Sequence, residues 1–363
     1  MKTTSSFRCA GLIEAKTTGW KLSGVTADDK GMAFNPAEGW YPSKGDSITS
    51  PHIPCEPWKY YHLSLRSKAE KDGYWSIVFF DANGESIVDD IYSRIYASQD
   101  WMENSGIARG RESAKTLTIR FSADSRIDVK DIVFGEATTS QVLAWSDNLM
   151  TTLPPLTFAP PAGRLERLSN TLRRLQKGGV CRMVLLGDSI MNDTNNSNFE
   201  ALLSEKFPKA LIRVIASVRG STGCWHYQDP KYFHQYVRDK RPDLLMIGGI
   251  SHRKEIGPIR RVIQMAKKQV PCEILMMSGP VGKDWRSFDN SGEPIPTPWP
   301  GEPFNKELAT MAEEEEVAYF DIGAAWHEYL ATSGKPFQWF QRDLVHADDR
   351  GKQVLARLIE GYF

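Results

Sequence analysis

The sequence has no net charge, no long apolar run and no paired cysteine motif, and each absence removes a class of protein. Lys+Arg 45 balance Asp+Glu 45, so there is no electrostatic footprint for nucleic acid or an anionic membrane surface. No stretch reaches the roughly 18 consecutive apolar residues of a membrane span, and the opening MKTTSSFRCAGLIEAK lacks the apolar core of a signal peptide. As written, the sequence predicts a cytoplasmic protein; export, or a leader trimmed ahead of this start, would leave the same reading. The five cysteines (Cys9, Cys55, Cys181, Cys224 and Cys272) are odd in number and widely spaced. That fits neither a disulfide framework nor a zinc site. Free thiols are expected, with a Cys9 to Cys55 bridge as the alternative in an oxidising compartment. There is no Walker loop and no His-x-x-x-His, and Gly248-Gly249 alone is too weak a signal for phosphate. Nothing calls for a metal or a cofactor.

What is present is enough apolar material for real cores, 41% of 363 residues, which exceeds what one small core organises and predicts two domains. Up to about residue 136 the chain reads as short strands separated by turns. Tyr60 to Arg66 alternates apolar and polar residues, Trp75 to Phe80 follows, and Asp81-Ala82-Asn83-Gly84 supplies a turn. Thr116 to Phe121 and Ile127 to Phe134 repeat the pattern, which predicts an antiparallel β-sandwich over residues 1–150. Residues 151–163 lie in a stretch with four prolines, read as a stiff linker. From 164 to 363 the grammar becomes strands alternating with helices. Strands are predicted at Arg182 to Leu186, Ile212 to Ser217, Leu244 to Gly248, Ile274 to Ser278 and Val317 to Asp321. Helices are predicted at Asn198 to Phe207, Ile256 to Lys268 and Lys352 to Tyr362. This is the pattern of an α/β domain with a three-layer, flavodoxin-like core, in which ligands bind beyond the carboxyl ends of the strands.

The residues that carry chemistry sit at those ends. The first of these strands runs into Gly187-Asp188-Ser189, a tight turn that puts a serine hydroxyl on the rim. A serine needs a positioned imidazole, itself oriented by a carboxylate. Asp343-x-x-His346, just ahead of the last helix, supplies both. His226, His234, His252 and His327 are read as surface or supporting residues.

These blocks resemble the SGNH (GDSL-like) hydrolase family over roughly residues 180 to 363. The resemblance implies a metal-free acyl-ester hydrolase with a Ser189, His346, Asp343 triad. It also implies that Arg219-Gly220-Ser221-Thr222-Gly223 is the block whose glycine supports the oxyanion, through Gly223. Where the family has Gly-x-Asn-Asp, this chain has Gly248-Gly249-Ile250-Ser251-His252, so the asparagine donor is missing. Ser251 or His252 replaces it, or backbone amides serve alone.

Aromatic residues gather around these blocks: Trp225, Trp339, and Trp285 and Trp299 on a long Pro- and Gly-rich stretch. Flat rings on loops suit sugar stacking, so Trp225 and Trp339 are candidate substrate contacts. The front module, with Trp40, Tyr41, Trp58, Tyr60, Tyr61, Tyr74 and Trp75, resembles jelly-roll carbohydrate-binding modules. Together these features point to an esterase removing acyl, chiefly O-acetyl, groups from an acetylated glycan, with no nucleic acid or membrane partner. The alternatives are a lipid or small-ester esterase, or an inactive carbohydrate-binding protein. The oligomeric state is not legible.

Overall fold

The computed structural model describes residues 7–12, 21–23, 25–28, 31–34, 47–123, 125–280, 303–343 and 345–363, with side chains from residue 48 onward except 88–90. Trp40, Tyr41, Trp285 and Trp299 lie outside the described residues. The chain forms two compact units, Met1–Trp145 and Ser146–Phe363.

The first unit is built from β1 (Phe7–Leu12), β2 (Lys21–Ser23), β3 (Val25–Asp28), β4 (Gly31–Phe34), β5 (Ser47–Thr49) and β6 (Ile53–Pro54). The set is completed by β7 (Tyr60–Ala69), β8 (Gly73–Phe80), β9 (Ser86–Ile95), β10 (Ser98–Arg109), β11 (Thr116–Ala123) and β12 (Ile127–Ala137). One sheet has the order β10-β7-β12-β4-β3, with β1 also on β12. The other has the order β2-β5-β11-β8-β9, with β6 also on β11. The strands in both sheets pair antiparallel. Burial alternates strictly along β7, as a strand with one face on a core requires. Leu63, Leu65 and Val129 from one sheet share a single core with Ile77, Phe79 and Ile119 from the other. Tyr61 and Trp75 are buried in it, which removes both from any outer, sugar-facing surface. The predicted turn joins β8 to β9: Asp81 accepts from the amides of Asn83 (2.8 Å) and Glu85 (3.0 Å), and Gly84 takes φ 79°.

One stretch differs from the strand-rich expectation. Thr139–Met150 is a helix, opened by a reciprocal cap in which Thr138 N–H donates to Gln141 Oε1 (2.8 Å) and Gln141 N–H to Thr138 Oγ1 (3.3 Å). The proline-rich stretch after it packs on the second unit. Leu153 is buried, the Phe158 ring lies 5.5 Å from that of Phe320, and the Tyr329 hydroxyl donates to the Pro154 carbonyl (2.8 Å).

The second unit holds β13 (Gly179–Gly187), β14 (Ala210–Val218), β15 (Leu244–Ile247), β16 (Glu273–Met277) and β17 (Ala318–Phe320). They pair parallel in the order β14-β13-β15-β16-β17, the 2-1-3-4-5 order of flavodoxin-type sheets. Every residue of β15 is buried, so both faces of the sheet are covered. After β13 the chain builds to one side, with β14, and then to the other, with β15. This reversal opens a crevice beyond the carboxyl ends of those strands, and the three sequence blocks singled out above all fall there. Cys55, Cys181, Cys224 and Cys272 are free thiols; the Cys9 side chain, the other half of the alternative bridge, lies outside the described residues. No described helix is long and apolar enough to cross a membrane.

Candidate active site

The nucleophile turn is fixed by crowding and by hydrogen bonds to its backbone. A Cβ on Gly187 would lie 2.3 Å from the Gly248 carbonyl oxygen, so β13 and β15 converge at a distance that only glycine permits. The Gly187 carbonyl accepts from the Tyr227 hydroxyl (2.6 Å) and the Arg219 amide (3.1 Å). Burial pushes the Tyr227 hydroxyl well above its usual range, which keeps it a donor. Asp188 caps the helix Ser189–Asn195 through the Ile190 amide (2.9 Å). Its other oxygen accepts from the amides of Ile250 (2.8 Å) and Ser251 (2.7 Å). One buried carboxylate thus ties the end of β13 to the loop after β15. Gly249 stands beside it at φ 103°, where a Cβ would lie 2.4 Å from Asp188 Oδ1, so the Gly248-Gly249 pair serves close approach.

The structure brings Ser189, His346 and Asp343 into one hydrogen-bonded chain. His346 Nε2 lies 2.8 Å from Ser189 Oγ, and Nδ1 lies 2.8 Å and 3.0 Å from the two Asp343 oxygens. With Asp343 ionised, Nδ1 carries the hydrogen and Nε2 is left to accept from the serine. Asp343 also accepts from the amides of Val345 (2.9 Å) and His346 (2.8 Å). Burial pushes its carboxyl up, but the hydrogen bond and charge of His346, the charge of Arg342 and the Val345 amide outweigh that and hold it at about 2. A folded value below the unfolded one of about 3.9 contributes stability that is complete above the unfolded value and is lost as pH falls through about 2. Asp343→Asn should therefore cost stability above about pH 4.5 and cost less as pH drops below about 4, which urea unfolding at a series of pH values reads. A difference that stays flat down to pH 3 would contradict the assignment.

Two residues that the sequence reading missed hold this loop on the nucleophile helix. Asp193, one helical turn after Ser189 and 3% exposed in its side chain, pairs with Arg342 Nη1 at 2.7 Å. Its second oxygen accepts from the Ala347 amide (2.9 Å). Arg342 also donates to the Ala347 carbonyl (2.8 Å), and its own amide donates to the His346 carbonyl (3.0 Å). The loop is therefore registered at two points one turn apart on one helix, Ser189 and Asp193. Spacing of i,i+4 from the serine is the signal that was available for Asp193.

Gly223 and Ser251, two of the three residues considered for the oxyanion, are in contact. A Cβ on Gly223 would lie 2.4 Å from the Ser251 carbonyl oxygen and 2.9 Å from His252 Cα. The Ser251 peptide is fully used: its amide donates to Asp188 and its carbonyl accepts from Trp225 Nε1 (2.9 Å). Only the Ser251 hydroxyl is left to point elsewhere. His252, read from sequence as a surface or supporting residue and as the alternative to Ser251 for the oxyanion, is 2% exposed and acts as a strut. Its Nε2 faces the Gly248 carbonyl (3.2 Å), and the Cys224 amide donates to its Nδ1 (3.4 Å). Both ring nitrogens are thus engaged, which leaves no donor in His252 for an oxyanion. Burial lowers its pKa against the opposing charge of Asp188, keeping the ring neutral as those two bonds require. His327 is buried as well. Gly223→Ala should force the two loops apart, lower kcat on a small ester by roughly tenfold or more and cost about 1–3 kcal/mol of stability; an unchanged kcat would show that this contact does not set the site.

Trp225 is half-buried and anchored beside Gly223 by its bond to Ser251. Trp339 is half-buried in the turn Phe337–Phe340, with Lys335 at 5.0 Å and Arg350 at 4.0 Å over its ring. Among the described residues, no group of three or more His, Cys, Asp or Glu side chains is placed to hold a metal ion.

Comparison with protein-family models and with curated proteins finds no match. Solved structures overlap part of the chain. One is a two-domain esterase (CEX) active on acetylated mannans, co-crystallized with mannopentaose, at 14% identity and a TM-score of 0.43, with 54% of this chain and 52% of that chain covered. Another is a catalytic mutant of Axe2, an acetylxylan esterase from Geobacillus stearothermophilus, at 16% identity and a TM-score of 0.40, with 51% of this chain and 96% of that chain covered. The chain spans about half the length of the first of these.

Proposed function

We propose that the chain is a serine esterase that hydrolyses acyl esters, chiefly O-acetyl, on a polysaccharide or oligosaccharide. The observation that carries this reading is the Ser189, His346, Asp343 hydrogen-bond chain at the crevice beside β13. In the proposed reaction His346 Nε2 takes the Ser189 proton as Oγ attacks the ester carbonyl carbon. Asp343, held ionised, stabilises the imidazolium and fixes its tautomer. The amide N–H groups of Ser189 and Gly223 are the proposed donors to the developing oxyanion. His346 then returns the proton to the departing sugar hydroxyl, leaving an acyl group on Ser189. Water, deprotonated by the same imidazole, attacks the acyl carbon; acetate leaves and Ser189 regains its proton.

The sugar part of the proposal is supported by Trp225, fixed beside Gly223. For the first unit we propose a jelly-roll, glycan-binding role, supported by its pair of antiparallel sheets. Acetate release from a panel of acetylated glycans, lipid esters and aryl acetates tests the reading, and release from none of them would end it. If the Ser251 hydroxyl stands in for the missing asparagine, Ser251→Ala should lower kcat by more than it raises KM on a small ester. An unchanged kcat would leave the oxyanion to backbone amides.

A further inference from the structure

Arg253 stands one residue beyond His252 on the loop after β15, and its guanidinium lies 3.7 Å from the centroid of the Trp225 ring. Both ends of that stack are fixed. Trp225 is held through Nε1 to the Ser251 carbonyl, Ser251 through its amide to Asp188, and His252 is buried against Gly248 and Cys224. Arg253 and Lys254 both take φ 56°, a left-handed conformation that residues with a Cβ adopt at a cost. The turn that results leaves Arg253 exposed while its backbone neighbour His252 touches Gly223.

Two other arginines around the site are committed: Arg342 to Asp193 and Arg350 to Asp348. Arg253 has no ion pair among the described residues, and Glu255, also exposed, is not paired with it. The guanidinium covers one face of Trp225, so that face is not offered to a sugar ring. Besides the other face of the ring, the pair offers a planar fork of N–H donors, seated over the ring, whose geometry matches a carboxylate.

We propose that the ester cleaved at Ser189 is carried on a uronic-acid sugar, whose carboxylate binds Arg253 on its Trp225 support. This rests on the esterase reading and gives it a substrate class: an acylated acidic glycan rather than a neutral one.

The test uses the full chain with O-acetylated galacturonic-acid oligosaccharide and the same oligosaccharide with its carboxyls methyl-esterified. Wild type should show kcat/KM on the acid about tenfold above that on the methyl ester, an advantage that shrinks in high salt. Arg253→Gln should bring the ratio to within about twofold of one, mainly through KM on the acid. A wild-type ratio already near one, or a tenfold ratio that survives Arg253→Gln, overturns the proposal. Ser189→Ala run on both substrates separates the two levels. Acetate release that depends on Ser189 but ignores the carboxylate sinks only the substrate class. Absence of release from these substrates and from aryl acetates sinks the esterase reading and this inference with it.

Discussion

Replacing Ser189 by alanine abolishes turnover of small acetyl esters, with kcat falling by roughly 10⁴-fold or more, and leaves the protein folded. The hydroxyl sits at the first residue of a short helix, half-buried, and its contact with His346 Nε2 is the one the proposed chemistry requires. No covalent acyl intermediate can form without it. The fold loses little, because Asp188 caps the helix and Ile190 and Met191 supply its buried apolar contacts. Initial rates on an aryl acetate, together with a urea unfolding curve, check both halves. Turnover near the wild-type rate in a folded Ser189→Ala protein would remove Ser189 from the chemistry.

Asp193→Ala damages stability and rate together. It leaves Arg342, 10% exposed in its side chain, without the carboxylate 2.7 Å away, and it takes the acceptor from the Ala347 amide. Breaking a buried ion pair from one side typically costs about 3–5 kcal/mol, because the remaining charge is left uncompensated. The loop carrying Asp343 and His346 then loses one of its two registration points on the nucleophile helix. A displacement of about 1 Å is enough for a hundredfold loss of rate, so kcat should fall by about that factor with KM changed less. The double variant Asp193→Ala, Arg342→Met removes the stranded charge. It should recover part of the lost stability while kcat stays low, since the second registration point is still missing. Two single variants that each cost under about 1 kcal/mol and keep wild-type kcat would show that the pair is incidental to the site.

The alternation of strands and helices after residue 164 was legible because parallel strands buried on both faces read as short apolar runs. All five predicted strands appear, each end within three residues of its prediction. The Gly-Asp-Ser turn and the Asp-x-x-His pair were legible because each is local: a glycine at a crowded strand end, and a carboxylate three residues before an imidazole. What was not legible depends on contacts distant in sequence. Asp193 and Arg342 are 149 residues apart, and neither residue type predicts burial by itself. His252 was read as a surface or supporting residue, or as an oxyanion donor, because histidine carries no pattern, and its role appears only when the loops after β14 and β15 meet. In the first unit β10 escaped notice because it runs from exposed residues at one end to a fully buried Gly106–Arg109 at the other, with no alternation. The helix Thr139–Met150 had a readable signature in Thr138-x-x-Gln141 that strand spacing overshadowed.

Trapping the acyl position tests the central claim most directly. The protein is incubated with a serine-directed phosphonate ester, digested, and the modified peptide located by mass spectrometry. One adduct is predicted, on Ser189, formed in wild type and lost in His346→Ala because the hydroxyl then has no base within reach. An adduct at another residue, or full esterase activity in protein that carries the label on Ser189, would contradict it.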